Sequence, residues 1–269
     1  ELPDRTAVLT FDDGYRSVYE QAFPELKGLG WPFTIFVTPG LVGSNASLYA
    51  NWDQLREMAD SGALLANHTM THPYLLDRSP YRDEAAWLQG VRAEIETAEA
   101  QILNESGQSH KILAYPYGEF DPAIQALVTT LGYTAFAQNS GAIAPGSDFT
   151  ALPRYPFSGN YASLGTFAIK VDSLAFNIRQ IEPLSPVTTE QSPEAVLDFD
   201  GEYRLDALSC FHNDLPMDVV VEDALEQRYR LRSNTRSTGR RFHYNCTAPG
   251  RGGRYYWYSV LWVNPAIAE

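Results

Sequence analysis

Apolar positions along the first two thirds of the chain alternate between short continuous runs and segments with helical spacing. Continuous apolar runs typical of buried strands occupy residues 6–11, 33–37, 63–66, 111–115 and 134–138. Segments with helical spacing or composition occupy residues 18–29, 51–61, 81–106, 122–131 and 165–171, and several of them end at a glycine. Strand–helix alternation with short connections predicts a parallel sheet covered by helices.

The pattern changes near residue 182. Residues 182–194 are rich in Pro, Ser and Thr, which is typical of a linker, and residues 195–269 contain short β-type runs without useful helical periodicity. We therefore predict three parts: an α/β domain at 1–181, a linker at 182–194, and a small all-β, sandwich-like module at 195–269. The aromatic run at 255–258 is expected to belong to the core of that module, with exposed rings that stack on sugars as the alternative.

Charge and hydropathy exclude two classes of partner. The formal net charge of -13 argues against nucleic acid, because binding to phosphate depends on cationic side chains. No run approaches the roughly 20 apolar residues that a membrane-spanning helix needs. The balance of 44% apolar and 20% charged residues is that of an ordinary globular protein.

The two cysteines bear on the compartment. Cys210 and Cys246 are expected to form a disulfide in an exported protein, periplasmic or extracellular and bacterial, with two buried free thiols as the alternative. The chain begins with Glu1 rather than Met, which indicates processing or a segment of a longer protein.

Two short motifs contain side chains that can bind a metal ion. Asp12 and Asp13 follow a predicted strand, and His68 and His72 follow another at i, i+4 spacing. Two imidazoles and one carboxylate form a common catalytic zinc set, and a second carboxylate nearby can act as a base. The alternatives are an Asx-type turn at the aspartates and a histidine pair without a function.

These motifs and a third one resemble the polysaccharide deacetylase family, the NodB-homology or family-4 carbohydrate esterases. The segments that carry the resemblance are TFDDG at 10–14, NHTMTH at 67–72 and AYPYG at 114–118. Within the family, the sequence around these motifs most resembles that of the deacetylases of poly-β-1,6-N-acetylglucosamine. The resemblance spans about residues 2–175 and implies a distorted (β/α) barrel, which is incomplete if its first strands lie upstream of Glu1.

The resemblance also implies roles for individual residues. Asp13, His68 and His72 are expected to hold one divalent metal, zinc in the first place, with nickel or cobalt as alternatives. Asp12 is the expected general base, and the backbone N–H of Tyr117 the expected oxyanion donor. Substrate contacts are expected from three further motif residues: Tyr15, Tyr115 and Pro116.

The sequence departs from the family pattern at two functional positions. Ala114 stands where the family has an arginine that holds the base, and we expect Arg154 to take that role, with a surface arginine as the alternative. The histidine motif that supplies the general acid does not occur between 155 and 182, and His212 lies in the predicted β module. We therefore expect the acid to lie upstream of Glu1, or the protein to be a degenerate member.

The function that follows is a metal-dependent hydrolase that removes N-acetyl groups from a GlcNAc-containing polysaccharide, poly-N-acetylglucosamine or chitin-like. A non-catalytic carbohydrate-binding protein on the same scaffold is one alternative, and an O-acetyl xylan esterase is another. The expected partner is an acetylated polysaccharide or oligosaccharide.

Overall fold

The computed structural model describes residues 3–268, apart from the side chain of Asn160. The chain divides into two compact units. The first unit comprises residues 6–119 and 123–136, and the second comprises the rest of the chain. The predicted domain boundaries at residues 181 and 194 do not coincide with the limits of these units. They stay a prediction.

Five parallel strands form the sheet of the first unit, in the order in which they occur along the chain. They are β1 (Thr10–Phe11), β2 (Thr34–Val37), β3 (Leu64–Asn67), β4 (Ile112–Ala114) and β5 (Thr134–Phe136). The sheet curls through 201° and does not close into a full turn. The predicted α/β fold is confirmed as an incomplete β/α barrel, and the carboxyl ends of its strands lie along one edge.

Helices connect these strands, and local sequence explains where they begin and end. They are α1 (Phe23–Leu29), α2 (Trp52–Asp60), α3 (Glu84–Ser106) and α4 (Pro122–Leu131). A π-helical turn, Val18–Ala22, precedes α1. Asn51 and Gln54 form a reciprocal capping box at the start of α2, and Asp83 accepts the Ala86 N–H at the start of α3. Gly107 ends α3 with φ 73°, a left-handed conformation that glycine adopts without strain.

The second unit consists of two sheets that share one apolar core, with one helix, α5 (Leu164–Val171), among the residues described. The strands are β6 (Leu174–Ala175), β7 (Ile178–Glu182), β8 (Ala195–Phe199), β9 (Ser209–His212), β10 (Leu215–Pro216), β11 (Asp218–Asp223), β12 (Arg228–Arg232), β13 (Arg241–Pro249) and β14 (Tyr255–Val263). The first sheet has the order β10–β9–β13–β14–β6 and the second the order β11–β12–β8–β7.

The segment predicted as a linker is hydrogen-bonded to strands of the second unit. Val187 forms a parallel bridge with Val263, and the Tyr244 hydroxyl donates to the carbonyl of Pro193. β6 and β7 precede this segment, yet they pair with β14 and β8. Residues 174–182 are therefore part of the same sheets as the later strands.

The predicted disulfide is present. Cys210 of β9 and Cys246 of β13 lie directly opposite each other in the sheet and are bonded, with their Cα atoms 4.1 Å apart. Helices that combine the length and hydrophobicity needed to span a bilayer are not found in the described part of the chain.

Candidate metal centre

Three side chains from two strand ends converge at the carboxyl edge of the parallel sheet. Asp13 follows β1, His68 follows β3, and His72 lies in the loop beyond it. One Asp13 carboxylate oxygen, Oδ1, lies 3.5 Å from Nε2 of His68 and 3.3 Å from Nε2 of His72. One donor atom from each residue lies within 4.8 Å of the other two, so a single cation could contact all three.

The orientation of the His68 ring is fixed by its other nitrogen. Nδ1 donates a hydrogen bond of 2.7 Å to the carbonyl of Ala114, which can only accept. In the tautomer that this bond selects, Nε2 presents its lone pair towards Asp13, as a metal ligand requires. The side chain is 1% exposed, so water does not compete for this bond.

The donor set fits a divalent cation. Oδ1 of Asp13 is a buried oxygen that has no hydrogen-bond partner among residues 3–268. Burial lowers the pKa of His72, which keeps that ring neutral and able to bind a metal. Burial acts to raise the pKa of Asp13, but the contact with the two histidine rings outweighs it, so the pKa falls below its ordinary value. Two imidazole nitrogens and one ionised carboxylate suit zinc, nickel or cobalt.

Four non-glycine residues around the centre have left-handed backbones. The φ angles are 68° at Asp13, 64° at Thr69, 58° at His72 and 59° at Tyr117. Each such residue costs of order 1–3 kcal/mol and persists only where surrounding contacts hold it. Their concentration at this edge of the sheet is typical of a functional site.

Asp12 occupies the position between β1 and Asp13. Its negative charge acts to raise the pKa of both Asp13 and His72, although in each case it is not the largest influence. Asp12 is only partly buried. Its role as general base stays a prediction, as does the oxyanion role of the Tyr117 N–H.

Two stacked tyrosine pairs lie at the centre, and one member of each pair comes from a motif. Tyr15 stacks on Tyr49 with ring centroids 5.6 Å apart, and Tyr117 stacks on Tyr74 at 4.2 Å. The Tyr117 ring also meets His72 edge-on at 4.5 Å. Burial, then the charge of Asp13 and a hydrogen bond to it, raises the pKa of Tyr15 to about 12. Tyr49 and Tyr74 were not predicted from the sequence. Tyr74 lies two residues after His72, close to a recognisable motif, whereas Tyr49 lies near none.

The remaining predicted site residues lie in different surroundings. Tyr115 and Pro116 are buried, Tyr115 completely, and their substrate contacts stay a prediction. Arg154 belongs to the second unit, where its Nε donates to the carbonyl of Ala137 at 3.0 Å. His212 is completely buried in that unit, where its Nδ1 contacts the Ser233 hydroxyl. The partnership of Arg154 with Asp12 stays a prediction.

Comparison with known proteins identifies the family. A family model described as polysaccharide deacetylase matches residues 1–136, about half of the chain, and the chain belongs to this family. The poly-β-1,6-N-acetyl-D-glucosamine N-deacetylase of Escherichia coli (strain K12) is 24% identical over 254 residues, which cover 82% of this chain and 35% of that protein. The chain therefore spans about a third of the length of this relative.

Solved structures share the fold of part of the chain. IcaB from Ammonifex degensii is 27% identical with a TM-score of 0.53, covering 62% of this chain and 75% of that one. The deacetylase PplD of Streptococcus pyogenes, solved in complex with acetate, is 26% identical with a TM-score of 0.51, covering 57% and 66%.

Proposed function

We propose that this chain is a metal-dependent N-deacetylase that acts on a GlcNAc-containing polysaccharide, poly-N-acetylglucosamine or chitin-like. The observation that carries the proposal is the convergence of Asp13, His68 and His72, with Asp12 adjacent, on a polysaccharide deacetylase fold. The relative from Escherichia coli supports the substrate class, because its name specifies poly-β-1,6-N-acetyl-D-glucosamine.

Asp13 Oδ1 and the two Nε2 atoms would hold the ion, zinc in the first place. A divalent cation held there would supply Lewis acidity, which would polarise an acetyl carbonyl and make the attacking water more acidic. Asp12 accepts the proton of the attacking water, and a general acid that is not assigned among the described residues protonates the amine as the C–N bond breaks. The Tyr117 N–H stabilises the negative charge that develops on the acetyl oxygen.

The proposal includes export to the periplasm or beyond the cell. The disulfide between Cys210 and Cys246 supports it, because such bonds persist in oxidising compartments. The polymer named for the Escherichia coli relative is also the kind of substrate that is met outside the cytoplasm.

The test replaces Asp12 by Asn in the full chain. We expect acetate release from poly-N-acetylglucosamine oligomers to fall by about 10²–10⁴-fold, because the amide cannot accept the proton. Zinc content, measured by inductively coupled plasma mass spectrometry, should remain that of the parent, since Asp13 and the histidines are intact. Asp60→Asn, an exposed aspartate at the end of α2, is the matched control.

A rate within tenfold of the parent would refute the role of Asp12. Acetate release from acetylated xylan but not from N-acetylated oligomers would replace the proposal with an O-acetyl esterase. Glycan binding by the parent without any acetate release would replace it with a carbohydrate-binding protein.

A further inference from the structure

The two histidines of the candidate metal centre lie at the ends of a five-residue loop, His68–His72, which we call the metal loop. The loop has no regular secondary structure. Two of its residues, Thr69 and His72, have positive φ angles of 64° and 58°. A short loop with two strained residues does not hold two imidazoles in fixed positions by itself, so neighbouring elements must restrain it.

One residue of α3 binds the middle of the metal loop. The Met70 N–H donates to the backbone carbonyl of Glu94 at 3.0 Å. Thr71 donates its N–H to Oε2 of Glu94 at 2.8 Å and its hydroxyl to Oε1 at 2.9 Å. Glu94 thus accepts hydrogen bonds from Met70 and Thr71, the two residues that precede His72, through its backbone carbonyl and both carboxylate oxygens. Hydrogen bonds to an ionised carboxylate are about twice as strong as neutral ones.

The other contacts of the metal loop restrain its start and its opposite side. Asn67 accepts the Thr69 N–H, and its own amide donates to Glu99 of α3. On the opposite side, the Gly40 N–H donates to the Met70 carbonyl at 2.9 Å. A Cβ atom at Gly40 would lie 2.6 Å from that oxygen, so the close approach requires glycine. The His72 N–H donates within the loop to the Thr69 hydroxyl at 3.2 Å, and among the hydrogen bonds named here that reach the loop from other elements, those of Glu94 are nearest to His72 along the chain.

Glu94 lies on the same side of α3 as the buried residues, seven residues after Trp87 and one turn from Val91 and Ala98, and its side chain is half-buried. Alanine at this position favours the helical conformation. Glu94→Ala should therefore leave α3 folded while releasing Thr71. The freed metal loop would sample conformations in which His72 no longer faces Asp13.

We propose that Glu94 is a positioning residue of the candidate metal centre: through Thr71 it holds the metal loop in the conformation in which both histidines face Asp13. This inference rests on the proposed function only in that the centre binds a divalent cation. It assigns Glu94 no contact with the ion or with substrate. Loss of the carboxylate lowers metal affinity because the unbound loop must be ordered before it can bind.

The test compares Glu94→Ala with Glu96→Ala in the full chain. Glu96 lies two residues further along α3, is exposed, and forms an ion pair with Arg92, so its removal costs the same charge without touching the metal loop. Zinc affinity is measured by competition with a chromophoric chelator, and the visible spectrum of the cobalt-loaded protein reports the ligand geometry. We expect Glu94→Ala to weaken zinc binding by about 10-fold or more, as substitutions of groups that support metal ligands do. The cobalt spectrum should change, while Glu96→Ala matches the parent.

Two further variants separate positioning from general stability. Glu94→Gln should restore most of the affinity, because its amide can accept the Thr71 N–H and donate to the Thr71 hydroxyl. Thr71→Val combined with Glu94→Ala should be little worse than Glu94→Ala alone, since both act through the same contact. Thermal unfolding of the metal-free variants should match the metal-free parent.

The outcomes distinguish the two proposals. Equal zinc affinity in Glu94→Ala and Glu96→Ala would overturn the positioning role and leave the proposed function intact. Weakened affinity with no rescue by Gln and a lower unfolding temperature without metal would reduce Glu94 to a structural residue, which also overturns it. A parent that binds no zinc or cobalt would overturn the proposed function, and the positioning role with it.

Discussion

At the scale of single residues, burial decides which histidines stay neutral. It lowers the pKa of His72, His212 and His243, in each case as the largest influence. For His72 the consequence is a lone pair that remains available to a cation at neutral pH. For His243 the pKa falls to about 4, and its Nε2 is buried without a hydrogen-bond partner among the described residues. An imidazole that is kept neutral in this way makes folding depend on pH.

The first prediction concerns the loss of stability in acid. The folded pKa of His243, about 4, is below the unfolded value of 6.5, so between these pH values the unfolded chain binds a proton that the folded chain does not. The contribution is fully present above pH 6.5 and is lost as the pH falls towards 4. From pH 7 to 4.5 the free energy of unfolding should fall by about 2.5 kcal/mol more in the parent than in His243→Gln.

Urea unfolding at the two pH values measures this difference. His110→Gln is the matched control, because His110 is exposed and its substitution should leave the pH dependence of the parent unchanged. An identical pH dependence in the parent and in His243→Gln would contradict the prediction.

At the scale of elements, strand register in the second unit brings the cysteines together. Alternate residues of β13 are buried, and Phe242, Tyr244 and Cys246 face the core. Cys246 pairs directly with Cys210 of the neighbouring strand β9. The bond closes a segment of 36 residues, which contains β10, β11 and β12. Its main effect is to restrict the unfolded chain.

We predict that the double variant Cys210→Ser, Cys246→Ser is less stable by about 4 kcal/mol, the loop-closure entropy of a segment of this length. Denaturant unfolding with and without dithiothreitol measures the difference. The reduced parent should unfold at the same denaturant concentration as the variant, and the variant should not respond to the reductant. A parent whose unfolding is unaffected by full reduction would contradict the prediction.

At the scale of the whole molecule, the candidate metal centre joins distant parts of the chain. Asp13 follows β1, while His68 and His72 follow β3, and β2 lies between these strands in the sheet. Because all three strands are parallel, their carboxyl ends lie on the same edge. A cation that binds these three residues binds the folded chain in preference to the unfolded one, and so stabilises the fold.

We predict that zinc raises the midpoint of thermal unfolding and that a chelator reverses the rise. A free zinc concentration of about 100 times the dissociation constant should add about 2.7 kcal/mol to the free energy of unfolding. Differential scanning calorimetry of the parent and of His72→Ala measures this, and the variant should show little response. The same rise in both proteins would place the zinc elsewhere.

Local sequence patterns predicted most of the strands and helices of the first unit. All five strands and all four helices of that unit occur where runs and helical spacing predict them, with ends shifted by a few residues. β1 is shorter than predicted: it begins at Thr10 rather than at residue 6, and Val8 is 73% exposed. In the second unit β6 and β7 were missed, since periodicity does not reveal strands such as β7 whose partners lie elsewhere in the chain.

The sequence by itself determined the chemistry of the candidate centre, because Asp12, Asp13, His68 and His72 occur in short motifs that a family resemblance can identify. It also determined which cysteines were available to pair. Only the tertiary structure decided what supports these residues: Glu94 on the metal loop, Ala114 on the His68 ring, and Tyr74 on Tyr117. These contacts join residues far apart along the chain or depend on side-chain direction, and neither is encoded in local spacing.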